Sequence, residues 1–515
     1  MSPSLRPAIV AVGAAFAPTS HLFHARLWRP GHAQRRLLDE LAARSARTAY
    51  GEHHRVSSAA DFRDRLPIVS WEGLTPWLDR QRETEGRVIT DAKVRFYEKT
   101  SGSSGAAKLV PYTDALLRSF TRMFALWTHD LLTMGPRFRT GNVYFSISPS
   151  FAETTSTERG VRVGLEDDSD YLGPWLKPLL RPFFVMPPGA SSERDPEEWK
   201  RLVGTHLSRA RRLELISVWN PSFLKVLLDW ISVHRKPIAA LLRREGDGAR
   251  AEVLSEERIS WTRFWPELKV ISCWASAGAA PLAAALADLF PGVLVQGKGL
   301  LATEAPMTIP SIRAGGFLPL VDEVFFELEE EPGGALRLLD EAEVGGTYAL
   351  VISQKSGLLR YRIGDRVRVT HRYRETPCLD FVGRGGSTSD LVGEKLHEGF
   401  VTSALDGVDL GGAFFRSLVP ARVPRDHYVL IIDETTRDPG DIARDLDRAL
   451  SAAHHYGHAR ALGQLAPARV TVVPRAEERV RDFHAQRGMK WGDRKHRLLV
   501  TSPSDDLLDA LGRLV

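Results

Sequence analysis

The spacing of apolar positions divides the chain into stretches of different period. Between His32 and Thr48, residues Leu37, Leu38, Leu41 and Ala42 fall on one helical stripe. Residues 1–66 as a whole read as largely helical. Pro67 opens a short extended piece, Ile68-Val69; Ser70 is placed to cap one helical turn, and Thr75-Pro76 to start a second short helix. The alternation Val94-Arg95-Phe96-Tyr97 predicts a strand, and Thr113–Leu132 predicts a helix. Asn142–Ser148, Leu268–Trp274 and Val293–Gln296 predict strands, and the apolar run Leu213–Trp219 leads into a helix opened by Asn220-Pro221. That helix turns Leu224, Leu227, Leu228 and Ile231 inward, and Pro281–Phe290 forms another. Strands alternating with helices predict a largely parallel sheet covered on both faces.

From Glu323 the texture changes. Val324–Leu328, Tyr348–Ser353 and Asp365–Thr370 predict a β-rich subdomain, which ends at a flexible joint, Gly383-Arg384-Gly385-Gly386. Beyond it lie strand Tyr428–Ile432, helix Gly440–Ala453, strand Arg469–Val473 and helix Asp505–Leu514, a smaller α+β unit. Residues 158–200, punctuated by Pro174, Pro178, Pro182, Pro187 and Pro188, read as loop-rich. The fold class is α/β: a large domain over residues 1–384 with mixed and parallel sheets and a β-rich subdomain, then a small mobile domain over 385–515.

Between the predicted strand at 94–97 and the helix from 113 runs Thr100-Ser101-Gly102-Ser103-Ser104-Gly105-Ala106-Ala107-Lys108. Glycine lets the backbone approach a ligand closely, successive N–H groups line an anion-binding concavity, and Lys108 adds a mobile point charge. A Gly/Ser surface linker is the plainer reading. The common P-loop is excluded, because it needs four residues between its glycines before Gly-Lys-Ser/Thr.

The chain has 515 residues, too many for one core. Lys and Arg number 69 against 64 Asp and Glu, a formal charge of +5 with no dense basic tract, so no nucleic-acid partner is expected. Two cysteines, Cys273 and Cys378, exclude a disulfide scaffold and suit a reducing compartment; cytoplasmic location is expected. Arg6 precedes an apolar run ending Ala-Phe-Ala at residue 17, which resembles a short signal peptide, but export is not expected from one positive charge alone. No apolar run is expected to span a bilayer. The adjacent histidine pairs at 53–54 and 454–455 do not make a zinc site, since neighbours point apart.

Several segments fall in one order: F-Y-E-K-T-S-G-S-S-G-A-A-K (96–108), V-W-N-P-S-F-L (218–224), W-A-S-A-G (274–278), G-L-L-A-T-E-A-P (299–306), G-L-L-R-Y-R-I-G-D-R-V-R-V (357–369), F-V-G-R (381–384) and L-V-G-E-K-L-H-E (391–398). Together they resemble the adenylate-forming superfamily and, more narrowly, the Gretchen Hagen acyl acid–amido synthetases. The resemblance covers roughly residues 40–500. It departs at Thr303-Glu304-Ala305, where the family commonly has Thr-Glu-Gly. It departs again at Gly492-Asp493-Arg494-Lys495-His496-Arg497, where the family's glutamine and proline positions are changed.

The resemblance implies an adenylate-forming large domain, a C-terminal lid and a two-step reaction. ATP activates a carboxylic acid, and an amine, usually of an amino acid, takes the acyl group to form an amide. Thr100, Ser101, Gly102, Ser103, Ser104, Gly105 and Lys108 would hold the phosphates. Ala302 would wall the adenine, Thr303 would donate to the α-phosphate, and Glu304 would hold Mg²⁺. Asp365 would take the ribose hydroxyls and Arg384 the ribose or a phosphate. Lys495, with Lys490 as rival, and Lys395 would neutralise charge on the α-phosphate. The acyl pocket is expected between the sheet and residues 150–230, near Trp175, Phe183, Phe184, Trp219 and Phe223. A monomer with small-molecule substrates and no membrane partner is expected. The alternatives are a synthetase making coenzyme A thioesters and a non-catalytic nucleotide-binding homologue.

Overall fold

The computed structural model describes residues 6–84, 86–99, 108–145, 155–157, 160–164, 181–187, 189–190, 193, 195–330, 334–384, 388–389, 391–392, 394, 396–422, 425–461, 465–486 and 497–501. Four strands, Val143–Phe145, Leu215–Ser217, Val270–Cys273 and Leu294–Gly297, form the parallel sheet in that order. Their carboxyl ends therefore share one edge. Helix Pro221–Val233 buries Leu224, Leu227, Leu228 and Ile231 in the core beside this sheet. Each buried leucine or isoleucine is worth about 2 kcal/mol, so the apolar stripe decides which face turns inward.

The β-rich part is a five-stranded antiparallel sheet. Its order is Leu336–Leu338, Val324–Glu329, Thr347–Gln354, Tyr361–Tyr373, Thr376–Arg384. A third sheet, Arg416–Ala421, His427–Ile432 and Arg469–Val472, carries helices Pro439–Leu450 and Ala476–Ala485. Lys200 of helix Pro196–Arg209 meets Glu478 at 2.7 Å and so ties this last part to the first.

Several elements differ from expectation. The chain leaves the glycine–serine loop through a strand, Leu109–Thr113, before helix Asp114–Met134 begins, so the loop joins the two strands of a hairpin. Trp71–Glu83 is one continuous helix containing Pro76, not two short ones. Pro76, the sixth residue of this helix, leaves the Glu72 carbonyl without its helical donor. Leu74 and Leu78 bury one face throughout. Pro196–Arg209 is a helix inside a stretch read partly as loop; Asp195 caps it by accepting from the Glu198 N–H at 2.7 Å. Residues 7–17 lie in helix Arg6–Arg26, which is long and apolar enough to cross a bilayer by length and composition, contrary to expectation. Its Ile9 and Val12 pack on Phe183, and its Phe23 enters the main core.

Candidate functional site

The hairpin Val94–Lys99 and Leu109–Thr113 pairs Lys99 with Leu109, which makes residues 100–108 its connection. Thr100, Ser101, Gly102, Ser103, Ser104 and Gly105 lie outside the described residues. Lys108 is described, with its ammonium 5.5 Å from the centre of the Trp71 ring. The return strand is where the separate motifs meet. The Pro111 carbonyl accepts from Ser356 Oγ at 2.6 Å, and the buried Tyr112 hydroxyl donates to the Thr303 carbonyl at 2.6 Å. Tyr112 is itself held between Phe96 and Phe120, with ring centres at 4.8 and 5.9 Å.

Thr303 and Glu304 form the tip of a two-residue hairpin, since Ala302 pairs with Ala305 and Leu301 with Pro306. Glu304 is only 6% exposed, and Ala302 is buried. Ala305, which stands where the family commonly has glycine, is a strand residue without positive φ, so its side chain strains nothing.

Asp365 lies at a bulge. Ala349 faces Arg366 and Val351 faces Arg362, so two steps on one strand match four on the other. Gly364, at φ +86°, makes the kink. The two extra residues preserve the alternation of faces, and Asp365 is 1% exposed beside Ile363 and Val367. It also pairs in register with Arg384, the last residue of its strand, whose side chain lies outside the described set.

The arginines of the same motif do structural work that sequence reading missed. Arg360 forms a two-pronged pair with Glu327 at 2.8 and 2.9 Å, and Arg362 one with Glu329 at 3.0 and 2.7 Å. Arg360 also donates to the Leu66 carbonyl at 2.6 Å, and Val69 bridges to Tyr361. The signal was present: Arg-x-Arg and Glu-x-Glu have the same two-residue spacing on strands that both join Thr347–Gln354.

In G-E-K-L the glutamate is an organiser. Glu394, 1% exposed, accepts from the Leu391 and Val392 N–H groups at 2.7 and 2.8 Å and from the Tyr428 hydroxyl. Lys395, Lys490 and Lys495 lie outside the described residues. Described chain resumes at Arg497, whose carbonyl accepts from Ser417 Oγ at 2.9 Å, and Leu499 bridges to Leu418.

On the parallel sheet, an apolar cavity of about 90 Å³ opens to solvent between helix Asp114–Met134 and the strands. Phe183 and Phe184 line it, with Phe124, Trp127, Val143 and Phe145. Trp219 stands instead over Lys298, and Phe223 packs on Trp199 at 5.3 Å in a separate core; Trp175 lies outside the described residues. At the sheet edge burial pushes the Cys273 thiol up to about 12, with Lys298 acting the other way. The thiol is thus neutral and unreactive near neutral pH.

With a loop hairpin wired to an acidic turn and an apolar cavity on a parallel sheet, the chain has the fold of the adenylate-forming enzymes. A 2-hydroxyisobutyryl-CoA ligase in the postadenylation state superposes with TM-score 0.51 at 16% identity, over 96% of this chain and 92% of that one. The likeness is much greater to AtGH3.15 acyl acid amido synthetase in complex with 2,4-DB, at TM-score 0.85 and 18% identity over 97% and 96%. The chain belongs to the GH3 family. Residues 19–245 match its N-terminal domain, 317–384 its central domain and 401–504 its C-terminal domain. Among relatives, indole-3-acetic acid-amido synthetase GH3.8 of Oryza sativa subsp. indica is 24% identical over 93% of this chain and 89% of its own length. The Homo sapiens GH3 domain-containing protein is 29% identical over 41% and 44%.

Proposed function

We propose that the protein is an ATP-dependent ligase that converts a carboxylic acid to its acyl-adenylate and passes the acyl group to the amine of an amino acid. The observation that carries this reading is the meeting of three motifs at Pro111-Tyr112: the loop hairpin, the Thr303-Glu304 turn and the turn before bulged Asp365. In the first step a carboxylate oxygen attacks the α-phosphorus, the bond to the bridging oxygen breaks, and pyrophosphate leaves with the electron pair. In the second the amine attacks the acyl carbon, loses a proton to solvent, and AMP departs.

In this reading the loop from Thr100 to Gly105, with Lys108, grips the outgoing phosphates, so that positioning and charge neutralisation do most of the work. Thr303 faces the α-phosphate, Ala302 the adenine, and Asp365 with Arg384 the ribose. Lys495 and Lys395 bring positive charge to the reacting phosphorus. Glu304 suits Mg²⁺, which takes oxygen ligands and is usually bound by one or two carboxylates plus substrate phosphates; the ion, when bound, offsets phosphate charge. Among the described residues no larger group of metal ligands occurs. Gly383, at φ +139° with open space around it, suits a hinge on which residues 385–515 move between the steps.

The test is acid-dependent exchange of labelled pyrophosphate into ATP across a broad acid panel, followed by amino acid or coenzyme A. Exchange and an amide support the reading. A thioester with coenzyme A, or ATP binding without exchange, overturns it in favour of one of the two alternatives.

A further inference from the structure

The apolar cavity and the acidic turn are joined by a residue that neither motif accounts for. Lys298 directly follows strand Leu294–Gly297, at the carboxyl edge of the parallel sheet. Ligands in open α/β sheets bind outside that edge. Its ammonium donates to Ser217 Oγ at 2.7 Å; Ser217 ends the neighbouring strand but one and is buried. Three rings surround the same nitrogen, Trp219 at 5.0 Å and Trp127 and Phe145 each at 5.9 Å from their centres. All lie within cation–π range. Trp127 is fixed in turn by its indole N–H, which donates to Gln296 Oε1 at 2.8 Å. Trp127 and Phe145 also line the apolar cavity, so these two rings separate the ammonium from it; Lys298 itself is not a lining residue.

We propose that Lys298 anchors the carboxylate of the acid, with the apolar body of the acid in the cavity behind Trp127 and Phe145. The inference rests on the ligase reading above and names the residue that orients the first substrate. An ammonium carries three donors, and the carboxylate joins or displaces the contacts Lys298 now makes. Among the described residues lining the cavity none is charged, and Thr128 alone carries a hydroxyl. That lining suits an acid whose only charge is the reacting carboxylate. A carboxylate held through one oxygen keeps the other for attack on phosphorus.

The chain also links the anchor to the nucleotide side. Gly299, at φ +75°, turns the backbone directly after Lys298, and a Cβ there would come within 2.5 Å of Thr308 Oγ1. Four residues later the chain reaches Thr303-Glu304. Only glycine serves at this turn, which carries the chain from the acid's charged end towards the proposed site of phosphate activation.

The experiment compares the full-length protein with Lys298→Met and Lys298→Arg in acid-dependent pyrophosphate exchange, using the best acid from a broad panel. Lys298→Met should raise KM for the acid at least tenfold, leave KM for ATP within twofold, and leave the melting temperature unchanged. Lys298→Arg keeps the charge and should restore most of the acid's affinity. As a second readout, the acid's uncharged primary amide competes with the acid. Wild type should prefer the carboxylate at least tenfold, and Lys298→Met should prefer neither. An unchanged acid KM in Lys298→Met, or acid and ATP KM values rising together, overturns the anchor alone. So does a wild type that does not distinguish acid from amide, a measurement that stands even if Lys298→Met does not fold. No exchange by wild type with any acid overturns the ligase reading and the anchor with it.

Discussion

In the antiparallel sheet the buried charges come in complementary pairs; at the edge of the parallel sheet the charge of Lys298 stands among aromatic rings. Arg360 and Glu327 are both nearly inaccessible and satisfy each other through two hydrogen bonds. Lys298 is only partly buried, and its cage of Trp127, Phe145 and Trp219 is apolar without it. The difference teaches what each charge is for. Deleting one member of a buried pair leaves the other ionised in a low dielectric, and the fold bears the cost. Truncating a lysine over rings leaves apolar surface that packs without it. The first arrangement fixes the strand that carries Asp365; the second sets an ammonium beside rings at the carboxyl edge of the parallel sheet, where the proposed anchor needs it.

The largest expected effect tests the paired side. Arg360→Met should lower unfolding stability by about 3 kcal/mol, because Glu327 loses both hydrogen bonds and its nearer counter-charge and keeps only Arg63 at 3.5 Å. Adding Glu327→Leu should recover much of that loss, since it removes the stranded carboxylate. Urea unfolding of the single and double variants measures both. A single variant within 1 kcal/mol of wild type, by the standard of an exposed ion pair, would erase the contrast with Lys298.

Next comes a change that should act on chemistry alone. Glu304→Gln keeps the shape of the hairpin tip but removes the charge proposed to hold Mg²⁺. Pyrophosphate exchange should fall on the order of 100-fold or more at saturating ATP, with the melting temperature unchanged. Partial recovery at high Mg²⁺ would sharpen the assignment, whereas near wild-type exchange would remove Glu304 from the site.

A smaller effect is expected at the junction. Tyr112→Phe removes the donor to the Thr303 carbonyl and nothing else of the ring packing. A neutral hydrogen bond is worth about 1 kcal/mol. Exchange should therefore drop severalfold, with KM for ATP affected more than KM for the acid. Equal changes in both would mean that Tyr112 supports the two halves alike.

How legible each half was in the sequence follows from the same contrast. Glu304 and Asp365 stood out only through their places in A-T-E and R-Y-R-I-G-D, short motifs that carry the family resemblance. The strands and the helix opened by Asn220-Pro221 were legible because their periods and cap are local. Tyr112 was not legible, since the strand holding it was hidden in a segment assigned to the approach to the helix. Its bond to Thr303 joins residues 191 apart. The cavity was only half legible: Phe183 and Phe184 were expected there. The wall from Ile9 and Val12 comes from a helix whose apolar run resembles a signal sequence. Aromatic residues carry no mark that separates pocket from core, which is why Phe223 was grouped with them although it packs on Trp199.

The smallest effect concerns the helix that covers the cavity. His24, near the end of Arg6–Arg26, has its pKa lowered to about 4, first by burial and then by Arg374, with Arg313, His129 and His21 acting in the same direction. The folded state therefore keeps His24 neutral while the unfolded chain, at its ordinary 6.5, takes up a proton. Stability from this group is full above pH 6.5 and is lost as pH falls towards about 4. Because His24 is only about half buried, solvent screening reduces the loss to about 1 kcal/mol. Urea midpoints between pH 7 and pH 4 should fall less steeply for His24→Gln than for wild type. Near pH 4, where folded His24 takes up its proton, the acid's KM should rise before that of ATP, since this helix lines the cavity and not the turn at 303–304. A parallel rise in both would tie the N-terminal helix to the whole site and break the division between its two halves.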